Sequence, residues 1–178
     1  MDLLRQAIAL NPNYTLAHNN LGNVLLLQND ADAALKEFLE ARRIDPANIE
    51  AHYNVGSLAR ARGDLRGAIL EFRAALSVNQ ASMPSLVALT WILAAAPDAT
   101  LREPDEAIRL GSRLLQLTDQ RDPAALDLAA VAYASDGQFD RAVALTQNAL
   151  DLKPAEEVAG AIRKRQGLYK QRQPYVAP

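Results

Sequence analysis

Apolar residues return along this chain at the three- and four-residue spacing of a helix, and short polar or small-residue turns interrupt them at regular places. Residues 15–48 make two amphipathic helices, over 16–28 and 31–44, parted by the polar turn Asn29-Asp30. Residues 49–82 make two more, over 49–62 and 65–78, parted by Gly63-Asp64, where glycine supplies the positive φ that closes a helix. Pro12 and Pro46 fall between the end of one helix and the start of the next, where a ring that cannot continue a helix costs nothing. The unit of construction is a helical hairpin.

The hairpins repeat. Asn11-Pro12 recurs as Asp45-Pro46, Leu21-Gly22 as Val55-Gly56, Ala34 as Ala68, Phe38 as Phe72 and Ala41 as Ala75, each 34 positions on, and His18 and His52 keep the same interval. Gly22, Gly56, Ala34, Ala68, Ala41 and Ala75 leave room for a neighbouring backbone at short helix separations, and Phe38 and Phe72 fill the space between hairpins.

This period and these residues resemble the tetratricopeptide repeat family, whose signature places Leu-Gly in the first helix, Ala, Phe and Ala in the second, and then Pro. Residues 15–48 form the first full repeat, with His18 where the family usually has Trp, followed by Leu21, Gly22, Leu25, Ala34, Phe38, Ala41 and Pro46. Residues 49–82 form the second, in which Ala59 weakens the usual aromatic and Gln80 replaces the proline. Residues 1–14 align with the second helix of a hairpin through Leu4, Ala7 and Pro12; three readings cover that half repeat, a fragment of a longer array, a cap, or an edge on which two chains stack, and the fragment is favoured. Residues 83–121 are an irregular third repeat, with Leu89 in the leucine slot, Thr90 for the glycine, Ala107 in the alanine slot and an inserted loop over 96–103. Residues 123–156 are a fourth, through Ala129, Ala130, Tyr133, Gly137, Ala142, Ala149 and Pro154. A capping helix is expected over 155–170, with Val158, Ile162 and Leu168 inward, then an extended tail over 171–178 with Tyr175 folded back on the last repeat. The resemblance implies an all-α fold, an α-solenoid of stacked antiparallel hairpins in a right-handed superhelix. The combination of the Trp-containing irregular hairpin, the Pro97-Asp98 insertion, the fourth repeat and the Leu-Tyr, Pro-Tyr ending also looks like the C-terminal part of larger bacterial multi-repeat proteins.

Charge and composition narrow the function. A formal net charge of −2 gives no general basic face for phosphate, so nucleic acid is not expected as a partner. Arg163, Lys164, Arg165, Lys170 and Arg172 do gather near the end of the chain against Glu156 and Glu157, and are read as the solvated face of the last helix. The longest apolar run, 86–96, is interrupted by Thr90 and stops at Pro97, too short to span a bilayer. No apolar leader precedes the first helix, and a cytoplasmic location is favoured, although the absence of cysteine chooses no compartment. Without cysteine there are no disulfides, thiolate catalysis or cysteine-held metals; no phosphate loop, nucleophile motif or acid pair stands out, so neither an enzyme nor a cofactor is expected.

In tetratricopeptide arrays the first helices of the hairpins line a concave face that receives a peptide. That face is expected to carry Leu16, Asn19, Asn20, Asn23 and Leu27 in the first repeat, and Glu50, Tyr53, Asn54, Ser57 and Arg60 in the second. Asn20 and Asn54 lie one period apart, at the place where some family members, including the repeat region of O-linked N-acetylglucosamine transferases, carry a ladder of asparagines. An amide both donates and accepts, so it grips a peptide backbone without reading side chains; the competing reading is that these amides bond only to neighbouring helices or water. Ala88 and Leu128 end the ladder at two rungs. The family's clamp for a C-terminal carboxylate is not matched: Asn23 and Asn54 suit it, but Asn19 stands where a lysine is wanted, and Pro84 and Ala88 where basic groups should follow. Trp91 is either a binding aromatic on the inner face of the third repeat or core under the inserted loop. Equivalent positions in adjacent repeats sit about 10 Å apart, against about 2 Å for metal ligation, so His18 and His52 are assigned to packing and no metal is expected. The leading expectation is a scaffold or adaptor that binds a peptide segment of a partner. The alternatives are self-association through the N-terminal half repeat and the non-catalytic repeat region of a larger enzyme.

Overall fold

The computed structural model describes residues 1–177, and among these it contains ten α-helices and no strand. They are α1 (Asp2–Leu10), α2 (Thr15–Leu27), α3 (Ala31–Ile44), α4 (Ile49–Ala61), α5 (Leu65–Val78), α6 (Met83–Ala95), α7 (Pro104–Leu117), α8 (Pro123–Ser135), α9 (Phe139–Asp151) and α10 (Glu156–Lys170). The fold is an all-α helical-repeat solenoid. By internal packing it divides into two compact units, Met1–Ser85 and the residues from Leu86 onward.

Unit 1 is built from two closely similar hairpins, α2–α3 and α4–α5, with α1 against α2 and α3 against α4. Local signals delimit its helices. Asp30, Asn48 and Asp64 each accept a backbone N–H three residues on, satisfying one of the four orphan donors at a helix start. Asn29 and Gly63 take positive φ, 61° and 80°, at the same place in successive hairpins. Within each hairpin a glycine faces a phenylalanine: a Cβ on Gly22 would stand 2.4 Å from the Phe38 ring, and one on Gly56 would stand 2.9 Å from that of Phe72. Both rings are fully buried, each stabilising the fold by about 1.5–3 kcal/mol through the surface it removes from water.

His18 and His52 do the work of a joint. In each, Nδ1 lies 2.7 Å from a carboxylate oxygen on the second helix of its own hairpin, Glu37 or Glu71. Nε2 lies 3.0 or 2.9 Å from the carbonyl oxygen of the preceding Pro12 or Pro46. The proline that ends one hairpin is thereby tied to the next, and both ring nitrogens are taken.

Unit 2 packs differently. α8 contacts both α7 and α9, and α10 lies on α9 and reaches α8. The facing residues are small: a Cβ on Gly111 would come within 3.1 Å of the Ala129 Cα, which is backbone and cannot swing aside. The inserted residues 96–103 are ordered. They form one 3₁₀ turn, Ala99–Leu101, whose start is capped by the Asp98 carboxylate; Leu101 is buried, and the Glu103 N–H donates to the Leu93 carbonyl at 2.9 Å.

Two expectations for the last helix are corrected. Its buried face is Ala159, Ile162, Gln166 and Tyr169, whereas Val158 is exposed and Leu168 is only half-buried. Its basic residues are not simply solvated. Arg165 turns inward to the carboxylate of Asp127, and Arg163 pairs with Glu156 at 2.6 Å.

Candidate functional site

The first helices of the two hairpins in unit 1 place polar side chains along one groove. Leu16, Asn20 and Asn23 follow one another at intervals of four and three on α2, and Glu50, Tyr53 and Asn54 at three and one on α4, so each set shares a helix face. With Ile49, and with Ser82 and Pro84 at the α6 start, they enclose about 360 Å³. That volume accommodates one or two side chains of a peptide laid across it.

Each side chain there has a reason for its position. Tyr53 leans on the buried Phe72, ring centroids 5.8 Å apart at 41°, which holds its ring at the groove wall. The Asn54 amide nitrogen is 3.4 Å from Asn23 Oδ1, at the outer limit of a hydrogen bond, so both groups keep most of their capacity for a ligand. Asn20 is exposed beside them. Glu50 is the one charged side chain of the lining.

Asn19 does not belong to this surface. It is 0% exposed, and its amide nitrogen donates to Asn48 Oδ1 at 2.9 Å, the same oxygen that caps α4 through the Ala51 N–H. The equivalent position in the next hairpin is Tyr53, whose longer side chain reaches the wall from the same seam; the short amide of Asn19 stays beneath it. Ser57 is half-buried and Arg60 exposed on α4, and neither lines the groove. Trp91 lies in unit 2, half-buried, with Tyr175 edge-on at 6.0 Å and the Arg165 guanidinium 5.7 Å from its centroid. Tyr175 folds back as expected on the cluster formed by Ala130, Tyr133, Ala134 and Ala142 of the last repeat with Tyr169, and it also stands against Trp91 of α6.

Sequence reading missed the polar centre of unit 2. The Arg165 Nε donates to Asp127 Oδ1 at 3.0 Å, and a second guanidinium nitrogen reaches the other carboxylate oxygen. Asp127 is buried, and burial pushes its carboxyl above the usual range while the hydrogen bond and charge of Arg165 pull it back. A single aspartate amid the apolar residues of α8 was the available signal, because a buried charge must be paired. No group of histidine and acidic side chains suited to a metal ion occurs among the described residues, and no helix among them is long and apolar enough to cross a membrane.

Comparison with known proteins agrees with this architecture. One family profile, described as TPR repeat, matches residues 22–59, and a second, described as tetratricopeptide repeat, matches residues 3–36. Among solved structures, MamA from Desulfovibrio magneticus is 19% identical with a TM-score of 0.70, over 89% of this chain and 88% of that one. A tetratricopeptide repeat protein from Parabacteroides merdae is 17% identical with a TM-score of 0.77, over 95% of this chain and 65% of that one. The thermophilic TPR protein TTC0263 from Thermus thermophilus is 22% identical with a TM-score of 0.60, over 96% and 88%. At such identities the likeness is one of fold. No curated protein matches the sequence at a significant level.

Proposed function

Starting from a chain that belongs to the tetratricopeptide repeat family, we propose that it is a protein-interaction scaffold whose unit 1 groove holds an extended segment of another protein. The observation that carries this reading is the cluster of amides, Asn20, Asn23 and Asn54, gathered on the faces of α2 and α4 next to the Tyr53 ring and the apolar Leu16, Ile49 and Pro84. Amides grip the repeating N–H and C=O groups of a peptide, and the apolar rim takes one side chain. Catalysis is no part of the proposal, since proteins built from this repeat are generally non-catalytic scaffolds.

The test is a displayed peptide library screened against the wild type and an Asn20→Ala, Asn54→Ala variant of unchanged helicity. Peptides that bind the wild type and weaken at least about tenfold in the variant support the groove, that being 1.4 kcal/mol, the scale of one or two lost hydrogen bonds. Binding that ignores both changes removes it.

A second reading rests on α1, which buries none of its residues completely and leaves Leu3 81% and Leu10 89% exposed. An apolar edge of this kind suits contact with a second copy of the chain. Light scattering at high concentration separates the two: a strict monomer ends the second reading and leaves the first intact.

A further inference from the structure

Independently of the groove in unit 1, the structure shows a segment of the chain acting as a ligand of unit 2. We propose that residues 173–177 occupy, as a releasable self-ligand, a slot that also takes an extended segment of a partner protein carrying tyrosine or phenylalanine in place of Tyr175. The Tyr175 ring stands edge-on to Trp91 at 6.0 Å and 70°. The Arg165 guanidinium is 5.5 Å from the same ring centroid and 5.7 Å from that of Trp91, within cation–π range of both. Two residues later the Ala177 N–H donates to the carbonyl of Ala95, the last residue of α6, at 2.8 Å. That carbonyl is one of the four that a helix leaves unsatisfied at its end.

The walls of the slot are built and its occupant is lightly held. Arg165 is fixed by two bonds to the buried Asp127, so the cation is already oriented, and its desolvation was met when the unit folded. The segment is held through the Tyr175 ring and two main-chain hydrogen bonds, Gln173 N–H to the Leu168 carbonyl at 3.0 Å and Ala177 N–H to that of Ala95, while the side chains of Gln173, Pro174 and Val176 are exposed. Beside Tyr175 a groove of about 380 Å³, lined by Gly160, Ala161, Lys164 and Leu168 among others, stays open for a neighbouring ligand residue. The chemistry recognised is therefore an aromatic residue followed, two positions on, by any residue that has an N–H, which excludes proline there. Side chains other than the aromatic go unread.

Trp91 is the only tryptophan, so its fluorescence reports this slot alone. The experiment compares the wild type with Tyr175→Ala and with a chain ending at residue 172, by emission and acrylamide quenching, and adds a synthetic peptide of residues 171–177. Both variants are expected to show a more quenchable Trp91 with helicity unchanged. The peptide should restore the wild-type signal in both. Followed by the anisotropy of a dye-labelled peptide, binding should be at least about tenfold weaker to the wild type than to the shortened chain, because the wild type's own segment competes at an effective concentration in the millimolar range. A peptide with phenylalanine for the tyrosine should act alike, and one with alanine should not. Unchanged quenching in both variants, equal action of the alanine peptide, or loss of helicity in the shortened chain, which would make the segment a structural strap, overturns the proposal. So does a wild-type dimer that disappears on shortening, which would assign the segment to exchange between copies.

Discussion

The two units use one hairpin plan and end with opposite surfaces. In unit 1 the first helices, α2 and α4, keep a polar face open, on which Asn20, Asn23 and Glu50 remain exposed. In unit 2 the corresponding helix α8 is buried from Ala125 through Ala134 without a break, its one charge neutralised by Arg165 of α10. The difference follows from composition. α8 is apolar all round and so has to be covered on every side, whereas α2 and α4 are apolar on one side and can leave the other to a ligand. A hairpin repeat thus keeps an open recognition face only where no further segment of the chain lies over it; in unit 2, α10 covers α8, and residues 173–177 fill the slot at α6 that a partner takes on their release.

The comparison can be broken most severely at the phenylalanine of unit 1. Phe38→Ala empties a fully buried site and is expected to lower stability by about 3–5 kcal/mol, read by chemical denaturation followed by circular dichroism. Nearly as large, Asp127→Ala in unit 2 leaves the Arg165 charge half-sequestered without its partner and should cost about 3 kcal/mol. If that variant melts like the wild type, the Asp127–Arg165 pair does not hold unit 2 closed.

Smaller effects sharpen the contrast in packing. Gly22→Ala forces its Cβ against the Phe38 ring, and Gly111→Ala forces its Cβ against the Ala129 backbone; each should cost about 1–3 kcal/mol. The first is relieved by also shortening Phe38 to leucine, whereas no side-chain change relieves the second, and a double-mutant comparison of melting temperatures tests this.

Tyr169→Phe acts in the other direction. The Tyr169 hydroxyl is buried with no hydrogen-bond partner among the described residues, so its removal is expected to raise stability by about 1 kcal/mol at neutral pH. Burial pushes the Tyr169 phenol far above its ordinary value of 10.0. The folded state then holds this proton more tightly than the unfolded chain, so the stability it contributes is complete below pH 10 and falls as pH rises beyond it. Denaturation between pH 9 and 11 should show a smaller alkaline decline in the phenylalanine variant.

Much of the fold was legible because it is written in short-range terms. The helical spacing, the capping residues Asp30, Asn48 and Asp64, and the interval that pairs Gly22 with Phe38 and Gly56 with Phe72 all act within one hairpin. Part of the groove was legible for the same reason: Asn20, Asn23, Tyr53 and Asn54 follow from helix periodicity on two neighbouring helices. Asn19 was not, since the partner that holds its buried amide, Asn48, lies 29 residues on, at the start of α4. Arg165 read as one more surface cation because its partner lies 38 residues away on another helix.

By itself, then, the sequence determined an all-α chain of hairpins, where each one turns, and which residues lie between its two helices, since those choices rest on propensity, capping and a periodicity contained in about 34 residues. Only the tertiary structure decided which polar side chains face outward. It buried Asn19, turned Arg165 inward to Asp127, and laid Tyr175 against Trp91. The physical reason is that a helical face is exposed or covered according to what packs upon it, and the covering segment can come from any distance along the chain.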